Sequence, residues 1–362
     1  MSIQIKDIGL EVRETYTPSD DDNLPYIGLE HVEQESLTLN GIGTSSDVAS
    51  QKYKFQKGDI LFGTLRPYFR KVIIAPTNGI CSTEFSVIRP INNDDLYFLF
   101  YCIAQPSFIK YATAKSKGAR PRTKWKLFSD FEIKINHQLE RKKLGTILSY
   151  YDRLIKNNRR RIELLKKSAR LLYKEWFDQL RFPGYEHTTI VDGVPEGWER
   201  VKVGDYSPLN YGKSLRKDKR KEGPFHVYGS SGIIGSHNES LVEGPCIIVG
   251  RKGNVGSVYW SPNNCYPIDT VYYIEHERSS LYLYYALQHV HFINTDVAVP
   301  GLNRDLAHSR EILIPSDILF EEFESTVSDF HKQINILRKT NSLLKKARDL
   351  FLPKLMNGDI PV

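Results

Sequence analysis

The sequence predicts an α+β fold. Two similar globular α/β modules are separated by two long helices that pair as an antiparallel coiled coil, and the halves are related by a pseudo-two-fold internal repeat. Three observations carry this prediction: the chain repeats itself, each half changes from turn-rich to helical, and the two helical stretches have complementary apolar seams. Lys57–Asn78 reads KGDILFGTLRPYFRKVIIAPTN and Glu243–Asn264 reads EGPCIIVGRKGNVGSVYWSPNN. An offset of 186 aligns Gly58 with Gly244, Val72 with Val258, Pro76 with Pro262, Asn78 with Asn264 and Ile88 with Ile274. An offset of 184 pairs Leu99 with Leu283, Tyr101 with Tyr285 and Phe108-Ile109 with Phe292-Ile293. An offset of 179 then runs without a gap from Pro121/Pro300 to Phe177/Met356. A unit of about 180 residues is far longer than the repeats of solenoids or propellers, so a whole domain-plus-helix is duplicated. A protein built as two similar halves suits a target that also comes in two parts.

The first module occupies residues 1–137. Short β-branched and aromatic runs (Asp59–Phe62, Lys71–Ile74, Phe85–Ile88, Phe131–Ile135) lie between Gly, Pro and Asn punctuation. A helix is expected at Asp95–Ala104. The first long helix belongs to residues 138–181, where Gly and Pro vanish after Gly145 up to the linker. That linker, Phe182–Trp198, opens the second module at 182–315 and carries Pro183, Gly184, Gly193, Pro195 and Gly197. The second long helix and tail occupy 316–362. Asn357-Gly358 is a C-terminal stop, and Pro353 predicts a last turn that bends or is already ending. Trp198–Gly212 matches the first 25 residues poorly, which leaves that edge of the repeat unaligned.

The first helix has a 3–4 apolar seam: Leu144, Leu148, Tyr151, Ile155, Asn158, Ile162, Leu165, Ala169, Leu172, Trp176. The second has Phe323, Val327, Phe330, Ile334, Leu337, Asn341, Leu344, Arg348, Phe351, Leu355. Almost five heptads in each predict a coiled coil. A buried amide without a partner costs roughly 1–3 kcal/mol, so the single Asn in each seam tests the alignment. Parallel pairing in the repeat register sets Asn158 against Leu337 and Asn341 against Ile162. Antiparallel pairing, with residue numbers summing to 499, sets Asn158 against Asn341 and Arg348 against Tyr151, a stacking partner. The antiparallel pair is therefore expected, with Asn158 and Asn341 fixing its register. About 33 residues of helix span roughly 50 Å.

With 362 residues, the chain is long enough for two or three domains with cores of their own. Its net charge of +7 and pI of about 9.0 favour a polyanionic partner. The four cysteines, Cys81, Cys102, Cys246 and Cys265, have no zinc-ligand spacing and are expected as buried, reduced thiols. MSIQIKDIGLEVRE lacks the apolar core of a signal peptide. The longest apolar run, Leu96–Ala104, is about half a membrane span. These features predict a soluble cytoplasmic protein with no metal of its own.

Catalytic signatures are near-misses. Ser207–Ser214, SPLNYGKS, has Ser where a phosphate-binding loop needs its first Gly and lacks the strand–loop–helix setting. Asn23–Tyr26, NLPY, differs at its second residue from the NPPY of amino-methyltransferases, and no Gly-rich methyl-donor loop accompanies it. Glu132-Ile133-Lys134 has a nuclease-like E-x-K but no upstream Pro-Asp. His289 and His291 are expected beside a core helix, with no metal. No catalytic residue is assigned.

The basic residues instead cluster in loops. Lys213, Arg216, Lys217, Lys219, Arg220 and Lys221 form one group; Lys115, Lys117, Arg120, Arg122, Lys124 and Lys126 form its counterpart in the first module. Such cations neutralise phosphates and release counterions. Base reading needs guanidinium forks and amides at groove edges. Arg66, Arg70 and Lys71 in GTLRPYFRK, Arg251, Lys252 and Asn254 in GRKGNVG, and Asn303 and Arg304 are the candidates. The halves differ most in these loops, while the helical frame aligns without a gap. Reading two unlike half-sites requires such a combination.

This layout resembles the specificity subunit of type I restriction–modification systems over essentially the whole chain. The resemblance rests on the module–helix–module–helix order, KGDILFGTLRP and its counterpart GPCIIVGRKG, the aromatic helix followed by a basic loop and a hydrophobic strand, the helix start QLERKKLGTILSYY, and the closing LFLPKLMNGDIPV. The second helix departs from the first in beginning PSDILFEEF, without the Gln. The resemblance implies two target-recognition domains, each reading one half of an asymmetric, interrupted double-stranded DNA target. The helices would set the spacer and dock two methyltransferase subunits, with Lys156, Arg159, Arg160, Lys166 and Lys167 on their outward faces. S-adenosylmethionine, ATP and magnesium would belong to partner subunits, a methyltransferase and a restriction subunit, and not to this chain. The alternatives are a methylation-only system, a standalone DNA methyltransferase or nuclease, and a coiled-coil adaptor that binds polyanions without sequence preference.

Overall fold

The computed structural model of the chain describes residues 2–19, 22–35, 37–135, 137–292 and 301–360. Ile293 and Pro300, two residues placed by the repeat, lie outside the described residues. The chain divides into two compact units: residues 1–159 with 338–362, and residues 160–337. Each long helix therefore gives one part to each unit.

In the first unit, β1 (Gly9–Val12), β2 (Lys52–Phe55), β3 (Ile60–Gly63), β4 (Val72–Ile74), β5 (Gly79–Cys81) and β6 (Phe85–Pro90) alternate with turns. One sheet has the order β1-β6-β3-β4, all antiparallel. A second sheet holds β2 and β5 with short flanking strands. Helix α1 (Leu96–Ala104) is buried from Phe98 to Ala104. Such an all-round apolar helix must sit inside a core. Phe62, Phe108 and Phe128 meet edge to face, with centroids 5.3–5.6 Å apart. The first long helix, α2 (Gln138–Tyr173), adds Leu144 and Leu148 to this core. Gly145 lets it come close, because a Cβ there would lie 2.5 Å from the Phe98 backbone nitrogen.

The second unit repeats this plan. Strands β7 (Asn210–Tyr211), β8 (Phe225–Gly229), β9 (Gly232–His237), β10 (Cys246–Gly250), β11 (Val258–Ser261), β12 (Cys265–Pro267) and β13 (Val271–Ile274) precede helix α3 (Leu281–His289). Its main sheet runs β7-β13-β10-β11, strand for strand the order of the first unit. A short helix α4 (Arg304–His308) and the second long helix α5 (Asp317–Met356) complete it. The unaligned edge of the repeat is resolved here. Ile3 pairs with Ile133 as Val201 pairs with Ile312, and the one-turn helix Ile5–Ile8 matches Val203–Tyr206. Residues 3–12 thus align with 201–210 at an offset of 198, with Ile3, Ile5 and Asp7 falling on Val201, Val203 and Asp205.

Within the first unit the two long helices meet antiparallel. Asn158 Nδ2 donates to Asn341 Oδ1 at 3.0 Å, the contact expected from the seams, and Asn341 Nδ2 donates to the Ile155 carbonyl at 3.4 Å. Within the second unit, Ile162, Ile334 and Leu337 are buried together with Leu165 alongside. Two details of the seam differ from expectation. Arg348 does not stack on Tyr151; it is fully buried and donates to the carboxylates of Asp152 and Asp349, because a guanidinium at that depth needs a charged acceptor. Beyond it Leu352 is buried where Phe351 was expected and Phe351 is exposed, while Leu355 is buried as expected. Pro353 sits inside a helix that continues to Met356. The first helix changes at Lys174–Asp178 into a π-helical turn that seats Phe177 in the second core. All four cysteines are buried. Among the described residues, no helix is long and apolar enough to cross a membrane and no group of side chains has metal-binding geometry.

Replacing Asn158 and Asn341 by Leu singly should destabilise the protein by about 1–3 kcal/mol each, since each change strands the other amide. The double replacement should recover part of that loss, giving a coupling of about 0.5–3 kcal/mol in urea denaturation. Purely additive losses would mean that the amides are independent.

Candidate nucleic-acid interface

The loop that follows β3 is set by backbone strain and by a second segment. Arg66 and Arg70 both adopt left-handed backbone (φ 51° and 50°) on either side of a 3₁₀ turn, Pro67–Phe69. That conformation costs a non-glycine residue about 1–2 kcal/mol, so the surrounding contacts must hold it. The Arg66 amide donates to the Pro121 carbonyl at 2.7 Å, and the Thr123 amide donates to the Thr64 carbonyl at 3.1 Å. Lys117 and Arg122 exchange backbone hydrogen bonds at 3.0 and 3.1 Å, closing a tight turn with Arg120 exposed near its tip. Residues more than fifty positions apart are thereby joined into one basic surface: Arg66, Lys117, Arg120, Arg122 and Lys124, all exposed.

Not every candidate in this unit faces outward. Arg70 turns back into the unit: its Nε donates to the Ala104 carbonyl at 2.6 Å, and its Nη2 lies 3.5 Å from Asp349. Burial pushes its pKa down against the pull of Asp349, and its side chain is 12% exposed. Lys71 donates to the Leu29 carbonyl at 2.6 Å. These two side chains hold the loop and do not stand among the exposed candidates for groove reading. Arg122 is exposed but forked onto Glu84, with its shortest contact at 2.7 Å. Arg66 carries its guanidinium 5.8 Å from the Phe69 ring. Among the described residues no carboxylate pairs with it.

The same junction recurs in the second unit. The Leu302 amide donates to the Arg251 carbonyl at 2.8 Å, and Lys252 bridges to Gly301. The repeat offsets carry Arg122 onto Gly301 and Arg66 onto Lys252, so the two junctions coincide to within one residue. Here the brace is aromatic. Arg251 and Arg304 lie 4.9 and 5.0 Å from the ring centre of Tyr211, and Arg251 is 5.8 Å from Tyr272. Arg251 Nη1 also donates to the Asp269 carbonyl at 3.1 Å. The crowded Tyr272 hydroxyl is pushed up to about 12, first by burial and then by Tyr211. Among the described residues no carboxylate neutralises either arginine. Two like charges gathered on one ring, without an acid, form a site prepared for an anion.

Lys213, Arg216, Lys217 and Lys219 are exposed on the preceding loop, as are Lys252 and Asn254. Arg220 is partly spent on structure, donating to the Ile234 and Leu215 carbonyls at 2.9 and 3.4 Å. The Asn303 side-chain oxygen caps α4, accepting from the amides of Asp305 and Leu306 at 2.8 and 3.1 Å, so that oxygen is already occupied. Tyr211 was missed in the sequence. It lies inside the P-loop look-alike Ser207–Ser214, which runs through β7 into a 3₁₀ turn at Lys217–Lys219 with no helix behind it. His289 stacks on Tyr173 at 4.7 Å, as expected of a residue bordering the core.

Known proteins are similar to this chain in sequence and in fold. A family model described as "Type I restriction modification DNA specificity domain" matches residues 1–167 and again 195–344. The chain is 25% identical over 349 residues to the type I restriction enzyme MjaIX specificity subunit of Methanocaldococcus jannaschii, covering 85% of this chain and 79% of that protein. It is 22% identical over 434 residues to the type I restriction enzyme HindI specificity subunit of Haemophilus influenzae, covering 93% and 94%. The crystal structure of the type I restriction–modification S subunit from M. genitalium shares the fold, with a TM-score of 0.61 at 18% identity over 98% of this chain and 96% of that one.

Tyr211→Ala should free both guanidiniums and weaken DNA binding by about 0.5–1 kcal/mol, the worth of an exposed cation–π contact. Fluorescence anisotropy at fixed salt measures this, with Tyr211→Phe expected to bind as the unmodified protein does.

Proposed function

The chain belongs to the type I restriction modification DNA specificity family, and from that premise we propose that each unit reads one half of an asymmetric, two-part DNA target. The observation that carries this reading is the paired junction: one sheet order, one loop-to-loop connection, and different side chains on it. Arg66 stands on Phe69 in the first unit, and Arg251 with Arg304 stands on Tyr211 in the second. An arginine fork on a rigid backbone suits a guanine edge, and the surrounding lysines suit phosphates. The chain supplies recognition, while S-adenosylmethionine, ATP and magnesium are used by its partners. It works in the cytoplasm, on host and invading DNA alike.

The helices also offer a partner surface. Leu164 and Leu171 on α2 are 45% and 49% exposed, and their repeat equivalents on α5, Leu343 and Leu350, are 66% and 59% exposed. Each pair stands beside two lysines, Lys166-Lys167 and Lys345-Lys346. An apolar pair repeated on the second helix suits two copies of one partner. We assign these positions to two methyltransferase subunits, with a restriction subunit joining the assembly.

Arg251→Ala should weaken or relax recognition of one half-site by about 1–3 kcal/mol and spare the other, and Arg66→Ala should do the reverse. Mapping methylated adenines on host DNA, with the chain co-expressed beside its methyltransferase, reads this directly. An equal loss at both half-sites would refute the division of labour. No methylation from a bound partner would favour the polyanion-binding adaptor. Removing seven residues from each helix should shorten the unread gap in the motif and leave the bases unchanged.

Changing Leu343 and Leu350 to Glu should remove one methyltransferase copy from the complex, and Leu164 with Leu171 the other. Light scattering after gel filtration reports the mass, and full retention by both variants would disprove the assignment.

A further inference from the structure

The second unit exposes two adjacent isoleucines beside its basic junction, and nothing in the reading so far uses them. Ile233 is 54% and Ile234 37% exposed, on β9, the edge strand of the sheet β9-β8-β12. In a regular strand, neighbours point to opposite faces. Here a bulge intervenes: Tyr228 pairs with Ile233 and Val227 with Gly235, so Ile234 is an extra residue without a partner across the ladder. Bulges re-aim side chains, and this one leaves Ile233 in solvent and lays the partly exposed Ile234 over Gly229. Gly232 and Gly235 flank them at positive φ, 93° and 150°.

The bulge is held from several sides. Arg220 donates to the Ile234 carbonyl at 2.9 Å. The Ser230 carbonyl accepts from the Ser257 hydroxyl at 2.8 Å and the Tyr259 hydroxyl at 3.0 Å. Those bonds tie the hairpin to the loop that carries Arg251, Lys252 and Asn254. A Cβ added at Gly253 would lie 3.3 Å from the Ser230 hydroxyl. The isoleucines therefore stand on a hairpin fastened to the loop of the proposed reading residues and beside the Arg220 guanidinium, a cationic setting continuous with that interface.

We propose that the β8–β9 ribbon enters the major groove, and that Ile233 and Ile234 read thymine through its 5-methyl group. This rests on the reading that the second unit recognises a half-site. A two-stranded ribbon fits the major groove, and the thymine methyl is the apolar mark there. Insertion between base pairs needs an apolar leading edge. The leading residues of this hairpin are Ser230 and Ser231, while the isoleucines lie on its flank. The geometry therefore favours lateral contact with base edges.

The test uses the complex with the methyltransferase and a duplex carrying the mapped motif. The half-site that responds to Arg251→Ala identifies the bases concerned. Each thymine there is replaced by uracil, which removes the methyl and leaves the hydrogen bonds intact. The unmodified protein should lose about fourfold in affinity at the contacted position, the worth of one buried methyl group. The Ile233→Ala/Ile234→Ala variant should bind thymine and uracil duplexes equally and keep its recognition of the other half-site. A half-site with no A·T pair, or equal binding of both duplexes by the unmodified protein, overturns the proposal without any variant. A variant that weakens both duplexes alike, yet leaves their ratio unchanged, overturns it in favour of a backbone contact. Absence of any sequence-specific binding would instead sink the half-site reading itself.

Discussion

The first unit depends on a buried guanidinium. Arg348 comes from the second long helix and is 1% exposed, and its charge is tolerable only because Asp152 and Asp349 accept its hydrogen bonds. Asp152 belongs to the first long helix and also accepts from the Tyr101 hydroxyl on α1. Asp349 is within 3.5 Å of Arg70, at the base of the Arg66 loop. One charge thus organises four elements: both helices, the core helix of the module, and the loop that carries Arg66. Nearby, Arg141 and Asp95 form a second buried pair at 2.8 Å, fastening the start of α2 to the turn before α1. Replacing any one member would leave a desolvated charge, which is why such sets resist piecemeal change.

The second unit solves the same joint with different chemistry. The repeat carries Asp152 onto His331, Tyr101 onto Tyr285 and Arg348 onto Ala169. The tyrosine-to-helix hydrogen bond survives, with Tyr285 and the His331 Nε2 2.9 Å apart, but the buried cation is gone. Gly145, which lets α2 approach Phe98, is replaced by Glu324. Its carboxylate accepts from the amide of Tyr282, the counterpart of Phe98, at 2.5 Å. Burial raises the pKa of that carboxyl, an effect the backbone hydrogen bonds oppose. The seam amides follow the same logic: the repeat equivalent of Asn158 is Leu337, and that of Asn341 is Ile162. The Asn–Asn contact therefore exists only between unlike helices. Duplicated halves retain a common frame, while their joints have diverged until each fits one partner.

Much of this was legible in the sequence because periodicity survives substitution. The seams, the antiparallel register and the paired amides follow from spacing alone, and the duplicated sheet strands from aligned Gly, Val and Pro. What escaped was set by contacts between distant residues. Arg348 looked like a stacking cation because its seam neighbour by number was Tyr151; the acid that holds it, Asp152, lies one position off the seam. The first ten residues escaped alignment because their match to 201–210 is short, Ile3, Ile5 and Asp7 against Val201, Val203 and Asp205, and stands at an offset of 198, away from those of the rest of the repeat. Arg70 and Arg66 look equivalent in GTLRPYFRK, yet left-handed backbone at both sends one inward and leaves the other in solvent. Tyr211 could not be singled out, since its role depends on two arginines 40 and 93 positions later.

The two junctions show how such a frame can exchange its exposed side chains without refolding. In each unit the candidate loop is closed by main-chain hydrogen bonds, Arg66 to Pro121 and Leu302 to Arg251, which place no demand on side-chain identity. The side chains that secure the loop, Arg70 and Lys71 in the first unit and Tyr272 in the second, point inward. Those that remain outside, Arg66, Lys252 and Asn254, have no structural duty among the described residues and can be exchanged at little cost in stability. Stability and specificity are thus carried by separate atoms of the same loop. That separation is physically sufficient to explain why the halves agree in topology and differ most where they would touch DNA.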